Sequence, residues 1–269
     1  MIWSAFARWW LYVGVALVVG HATLRLAQVP QPAAIVPRAS RLALLGWCAM
    51  ALALLLLFVV QAHDMELAAT LTDMRVVLSE TTWGRGWSVL ALCVASGIVA
   101  QLLRAPVWLR AACAVLAAVA MGGMGHAAAD TAWPRLARVL DALHVLGAGA
   151  WIGGLLFLAT EARADRAVWA AFSRVATIAA PVVVVTGVGV TLRRLSGVPL
   201  HDTLVSSYGQ LLALKIALVV VVLGFGAVHR RRVAAHAVPG IRSIRSEIVF
   251  AFAIFVVTSV LTGSAPPGD

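Results

Sequence analysis

Long apolar runs, separated by short polar segments, make up most of the chain. A helix needs about 20 mostly apolar residues to cross the hydrocarbon core of a membrane, and eight runs are close to that length. The predicted spans are 2–26, 41–62, 86–104, 107–127, 138–160, 173–192, 208–229 and 247–263. The pattern therefore predicts an all-α fold, namely a polytopic membrane helical bundle with about eight transmembrane helices.

Composition supports the same class of protein. The chain has 269 residues, of which 62% are hydrophobic and 12% are charged, whereas soluble domains carry about 25% charged residues. Because no segment is long enough for a separate soluble domain, we expect residues 1–269 to form a single membrane domain. Within it we distinguish N-terminal helices in 1–106 from a second part in 107–269. The first apolar run is too long for the core of a signal peptide, and we interpret it as a retained first helix.

The net charge of +10 comes from arginines between the apolar runs. Thirteen arginines fall in segments on one side of the predicted bundle and seven on the other. Cytoplasmic loops carry the excess of Arg and Lys, so both termini are predicted to be periplasmic, in a bacterial inner membrane. Contact with anionic lipid headgroups explains the charge, and no nucleic-acid partner is expected.

The longest outer connection, residues 62–85, contains two features. Its apolar residues recur at helical spacing, which predicts an amphipathic helix on the membrane surface; they are Leu67, Leu71, Met74 and Leu78. Before this helix, His63 and Met65 form a small outer cluster that can capture a metal ion.

The stretch 121–154 joins spans four and five and carries most of the candidate chemistry. It places His126 and His144 near the same edge of the membrane, with Met121 and Met124 just before His126. Thioether and imidazole groups together suit Cu(I), and imidazole alone also suits Cu(II), Zn(II) or haem iron. A regular helix would not point both methionines and His126 at one ion, but the glycines between them can loosen the helix end. Packing of the methionines and helix capping by the histidines remain the alternatives.

Other residues near His144 support a functional interpretation of span five. Asp141 lies three residues before His144, where a carboxylate can orient the imidazole, and Trp151 lies two turns below it. A GxxxG spacing at 149–153 allows close approach of another helix. Lys215 is the only lysine of the chain and lies inside span seven. A buried ammonium needs a partner, which could be Asp141 or a bound anion; the alternative is that the side chain extends to the membrane edge.

The remaining ionisable residues have simpler interpretations. His229 and His236 are predicted to be loop residues near the inner arginines. Glu247 opens span eight, where it is expected to pair with an arginine. Pro181, inside span six, is predicted to kink that helix.

These motifs resemble the CopD/PcoD family of copper-resistance membrane proteins. The resemblance covers about residues 120–267, and the first half matches only in hydropathy and span number. It rests on GHA at 125–127, DALHVLGAGAWIGGLLFL at 141–158, Thr-Gly at 186–187, YGQLLALKIAL at 208–218, Glu247 and Pro-Pro at 266–267. The family implies a protein that moves copper across the inner membrane or hands it over, with a separate periplasmic copper carrier of the CopC type as partner. His126 and His144 are the histidines that match its motifs.

We therefore interpret the chain as a non-enzymatic copper transport or copper resistance protein that binds Cu(I) or Cu(II) at the periplasmic face. The predicted ligands are His126, His144, Met121, Met124, His63 and Met65, supported by Asp141, Trp151 and Lys215. Two other functions stay open: a haem- or quinone-binding membrane oxidoreductase, and a copper sensor or assembly partner without transport. Span five is also similar to HemJ-type protoporphyrinogen oxidases, which are about half as long, so haem remains an alternative cofactor. Whether the chain forms a homo-oligomer also stays open.

Overall fold

The computed structural model describes residues 2–29, 36–65, 70–124, 133–160 and 166–265, and this part of the chain contains helices and no strands. We number the helices in chain order. They are α1 (Ile2–Leu26), α2 (Val36–Asp64), α3 (Leu71–Glu80), α4 (Thr82–Leu102), α5 (Val107–Met121), α6 (Pro134–Ala159), α7 (Arg166–Arg194), α8 (Leu200–Val205), α9 (Ser207–Ala234) and α10 (Ile241–Leu261).

Seven of these helices are long and apolar enough to cross a membrane, namely α1, α2, α4, α6, α7, α9 and α10. The remaining predicted span, 107–127, corresponds to α5, whose 15 described residues rise about 22 Å. The first and last helices meet at one face of the bundle, where Arg8 Nη1 of α1 donates a hydrogen bond to the Ser259 carbonyl oxygen of α10 at 3.1 Å. Tyr12 Oη and Thr262 Oγ1 are 3.0 Å apart. Below, the terminal face means the membrane face where α1 begins and α10 ends.

Two helices at the opposite face are longer than the hydrophobic pattern predicts. Helix α9 continues to Ala234 and includes His229, which is buried; the prediction that His229 is a loop residue is wrong. Helix α10 begins at Ile241, so Glu247 lies inside it and is buried rather than opening the span. Arginine is a good helix former, which explains why both helices extend into polar sequence.

The predicted outer amphipathic helix is present as α3. Its N-terminus has a capping box, in which the Thr70 hydroxyl accepts from the Asp73 amide and the Asp73 carboxylate accepts from Thr70. Val77 is its buried residue, and the helix packs on α4. Leu67, predicted to belong to the same helix, lies outside the described residues.

Helix α1 is central to the bundle and contacts α2, α5, α6 and α10. Its contact with α6 uses the predicted GxxxG spacing, because Gly153 lies against the Ala16 carbonyl group and a Cβ at Gly149 would lie 2.7 Å from Val19 Cβ. Hydrophobic burial does little to drive helix association in lipid, so small residues that let backbones approach are favoured. Residues Gly149–Gly153 form a π-helical turn within α6. Such turns are frequent at functional sites.

Candidate functional site

A cavity of about 160 Å³ lies among α1, α6, α7, α9 and α10. Its deeper part is apolar and is lined by Trp151 and Ile152 of the π-helical turn and by Val222 of α9. Its polar lining comes from the halves of these helices nearer the terminal face: Tyr12, Asp141, His144, Thr191, Arg194, Tyr208, Lys215, Thr258 and Thr262. The cavity thus combines ionisable groups with an apolar floor inside a membrane-spanning bundle.

His144 lines this cavity, and contacts with α7 fix its ring. Its Nδ1 is 3.0 Å from the Val183 carbonyl oxygen and 3.2 Å from Thr186 Oγ1. A carbonyl oxygen can only accept, so Nδ1 carries a hydrogen, and in the neutral imidazole Nε2 then keeps the lone pair. A second nitrogen held in this way is the usual arrangement of a metal-ligating histidine, because it fixes both the tautomer and the ring orientation.

Thr186 and Gly187 provide the local environment for this ring. The Thr186 hydroxyl donates to the Val182 carbonyl oxygen at 2.5 Å, which leaves its oxygen free to accept from His144. At Gly187, an added Cβ would lie 3.1 Å from His144 Cε1, so a side chain there would press on the imidazole. The Thr-Gly pair in α7 therefore provides both a hydrogen-bond acceptor and the space that the His144 imidazole of α6 occupies.

Asp141 lines the same cavity one turn before His144, but the described hydrogen bonds of the imidazole go to α7. The predicted role of Asp141 in orienting the ring is thus filled by Val183 and Thr186. The Asp141 carboxylate also faces the end of α5, since its Oδ2 lies 3.3 Å from where a Cβ on Gly122 would be. Asp141 therefore lies between the α5 terminus and the cavity.

Two cationic side chains also line the cavity. Arg194, the last residue of α7, donates from Nη1 to the Tyr208 hydroxyl at 3.4 Å. Lys215 of α9 makes no hydrogen bond or salt bridge to another residue in the described part of the chain. Sequence reasoning identified Lys215 but placed Arg194 in an outer connection and did not consider Tyr208.

The predicted methionine ligands pack in the hydrophobic core instead of lining the cavity. Met121 is buried in a cluster formed by α1, α2, α4 and α5, and Met124 packs against the same cluster. His126, which follows Met124 by two residues, lies outside the described residues. In this structure, the contacts of both methionines are therefore those of packing residues, which was the alternative to metal binding.

The predicted outer cluster is exposed at the end of α2. The His63 side chain is 89% accessible and its Nδ1 is 3.8 Å from the Asp64 carboxylate, and Met65 is also exposed. Both lie at the terminal face and neither lines the cavity. In the described ranges, no group of three or more His, Cys, Asp or Glu side chains is arranged to hold a metal ion.

Trp151 lines the apolar end of the cavity. Its side chain is 5% exposed, and its ring lies 3.5 Å from where a Cβ on Gly226 of α9 would be. A larger residue at position 226 would therefore meet this indole. Trp151, predicted to lie near His144, is thus part of the same cavity.

A second buried ionisable pair lies beyond Trp151, near the opposite face. Glu247 Oε2 is 2.9 Å from His229 Nδ1, with side-chain exposures of 1% and 9%. The distance is that of an ion pair, although the angle is not that of a good hydrogen bond. His229 Nε2 is 2.9 Å from Ser243 Oγ. Sequence reasoning missed this pair, and the helical extensions of α9 and α10 would have been the signal.

The fold and the cavity define a multi-pass helical membrane protein with a polar site inside the bundle. Two family profiles match the chain: copper resistance protein D over residues 166–262, and the N-terminal domain of copper resistance protein D-like proteins over residues 2–136. The chain belongs to the copper resistance protein D family. It is thus a multi-pass membrane protein related to copper resistance or transport.

No curated protein and no solved structure matches the chain. The N-terminal match extends the family assignment to the half of the chain where only hydropathy and span number had indicated it. Most of α6, including His144, lies between the two matched stretches. The family match therefore does not extend to most residues of α6, and their roles are inferred from their contacts in the structure.

Proposed function

We propose that this protein binds copper at its terminal face and passes the ion into the membrane bundle, with His144 as the central ligand. The observation that carries the proposal is the fixed tautomer of His144, whose Nδ1 is bonded to α7. Its Nε2 is the remaining nitrogen of a ring that lines a cavity. Neutral imidazole with a free nitrogen is a ligand for copper in either oxidation state.

The proposed entry route begins at the terminal face, which we propose to be periplasmic. His63 and Met65 are exposed there and would receive the ion, either free or from a separate carrier of the CopC type. From there the ion would pass to His126 and then to His144, and a rearrangement of the α5 end on copper loading would bring Met124 to the same route. Asp141 supports this order, because its carboxylate lies between the α5 end and the cavity.

The side chains proposed to bind copper all lie between the terminal face and Trp151. Beyond it the cavity ends in apolar packing, and the next buried polar pair is His229 and Glu247. We therefore propose copper binding and hand-over at the terminal face as the primary function, with passage past Trp151 as its extension. The role of Trp151 would be to separate the two halves.

The test is the copper content of purified protein after loading with Cu(I) and, separately, with Cu(II). We expect the wild type to retain copper and the folded His144→Ala variant to lose at least one equivalent. His201→Ala is a matched control, because His201 is highly exposed at the same face and bonds to Asp202 at 3.2 Å. Equal copper retention by all three proteins would contradict the proposal.

One observation favours a second candidate, a haem- or quinone-binding protein. Four aromatic side chains line the cavity with His144, namely Tyr12, Trp151, Tyr208 and Phe255, and neutral imidazole is also an axial ligand of haem iron. An absorption spectrum of the purified protein separates the two candidates. A Soret band that disappears in His144→Ala would support the haem protein, whereas a copper content that depends on His144 without such a band supports the copper protein.

A further inference from the structure

We propose that the cavity also binds a small monovalent anion, held by Lys215 and Arg194. This inference goes beyond copper binding and concerns the cationic side chains of the same cavity. Both side chains line it, and Lys215 has no described partner for its ammonium group within ion-pair distance. Asp141 attracts the ammonium electrostatically but is not within salt-bridge distance of it. An ionisable group inside a span is costly unless it is closely paired, so this arrangement favours a bound ligand.

The charges around the cavity do not balance. In formal charge, Lys215 and Arg194 are cations, Asp141 is an anion and His144 is counted as a neutral imidazole. With the tyrosines neutral, the lining carries an excess of one positive charge. No salt bridge within 4.0 Å joins Asp141 to either cation among the described residues. In surroundings of low dielectric constant such an excess favours a bound counter-ion.

The donors suit a compact anion. Arg194 uses one described N–H on Tyr208, which leaves further guanidinium donors, and the Lys215 ammonium has three. The Tyr208 hydroxyl accepts from Arg194 and can therefore donate its own hydrogen to a ligand. Chloride and a small carboxylate share the required charge and acceptor chemistry, and both are small enough for a cavity of about 160 Å³.

The anion would also affect how copper is held, and this consequence rests on the proposed function. A bare copper cation next to Lys215 and Arg194 is repelled by both. A bound anion offsets that repulsion, and it can serve as a further ligand beside His144. Copper would then be held between the imidazole and the anion, which supplies a ligand that the described side chains do not.

The experiment measures thermal unfolding of copper-free protein in non-ionic detergent, in sodium HEPES buffer at constant ionic strength. Chloride and acetate are titrated in separate arms. A ligand that binds only the folded state raises the Tm in proportion to ln(1 + [L]/Kd). For the wild type we expect a concentration-dependent rise in one arm or both, and the arm that responds identifies the source of the negative charge. Arg135→Met is the control, because Arg135 is exposed at the start of α6, and it should respond like the wild type.

The variant Lys215→Met should lose the anion response and, without added anion, unfold at a higher temperature than the wild type. The second effect is expected because the substitution removes an unpaired cation and keeps a long side chain. If Lys215→Met does not fold, Arg194→Met provides the same test by removing the other cation. No response in the wild type, or an equal response in the cavity variant, would overturn the inference. Because copper is absent, this result is independent of copper binding by His144.

Discussion

The buried pair of His229 and Glu247 allows a quantitative test of the structure. The carboxylate and the imidazole are 2.9 Å apart, with side-chain exposures of 1% for Glu247 and 9% for His229. Replacing His229 by leucine introduces an apolar side chain of similar size and leaves the Glu247 carboxylate buried without its partner. It also removes the contact of His229 Nε2 with Ser243.

The magnitude follows from the burial of both groups. Removing one partner of a buried ion pair typically lowers the free energy of unfolding by about 3–5 kcal/mol. We expect His229→Leu to fall near the lower end, about 3 kcal/mol, because the contact between Glu247 and His229 lacks the geometry of a hydrogen bond. Replacing both residues by leucine removes the desolvated charges together. The double variant should therefore lie within about 1 kcal/mol of the wild type.

The assay is equilibrium unfolding in mixed detergent micelles for the wild type, both single leucine variants and the double variant. The predicted order places the double variant close to the wild type and both single variants well below it. The resulting coupling energy should exceed the range of about 0.3–0.5 kcal/mol within which independent sites add. Additive losses, with the double variant the least stable of the four, would refute the pairing.

Three further predictions concern the cavity and the packing around it. Thr186→Val removes one of the two acceptors for His144 Nδ1. Because the Val183 carbonyl remains, copper affinity in a competition titration should fall only about tenfold. An unchanged affinity would contradict the role of the Thr186 hydroxyl. Gly187→Ala adds a Cβ 3.1 Å from His144 Cε1 and should also weaken copper binding in the same titration. An unaltered affinity would show that the position of the imidazole does not depend on the space beside Gly187. Gly153→Ala places a methyl group against the α1 backbone and should lower the free energy of unfolding by about 1–3 kcal/mol. The control Gly224→Ala has open space around it and should not lower it. Equal stabilities of the two variants would contradict the close contact between α1 and α6.

The hydrophobic pattern predicts the helices of this protein well because each span needs a long apolar run to cross lipid. It does less well at helix ends, where the sequence is polar but still favours a helix. The Arg-rich end of α9 and the polar start of α10 show this. Missing these extensions misplaced His229 and Glu247, and their pairing could not be predicted from either segment alone.

The candidate site could be predicted only in part. His144, Asp141 and Lys215 were identifiable because an ionisable residue inside an apolar run is unusual whatever its contacts. Arg194 and Thr186 could not be assigned to the site in the same way. Arg194 is the last residue of its helix, and threonine is common in membrane helices. Their roles depend on how α7 packs against α6, which the spacing along one helix does not determine.

The same limit applies to the methionine ligands. Met121 and Met124 are chemically suited to copper, and the sequence gives no means of telling which side of α5 meets other helices. The structure places Met121 in the packed core and Met124 against it. Only a change in the α5 end on copper loading would bring either thioether to the ion.

The most direct measurement of the central claim is X-ray absorption at the copper edge of loaded wild-type and His144→Ala proteins, with His201→Ala as the control. The account predicts imidazole scattering in the wild type and the control, and its loss or reduction by one ligand in His144→Ala. The same imidazole signal in all three proteins, or a copper site without any imidazole in the wild type, would contradict the proposal that His144 is the ligand at the centre of this cavity.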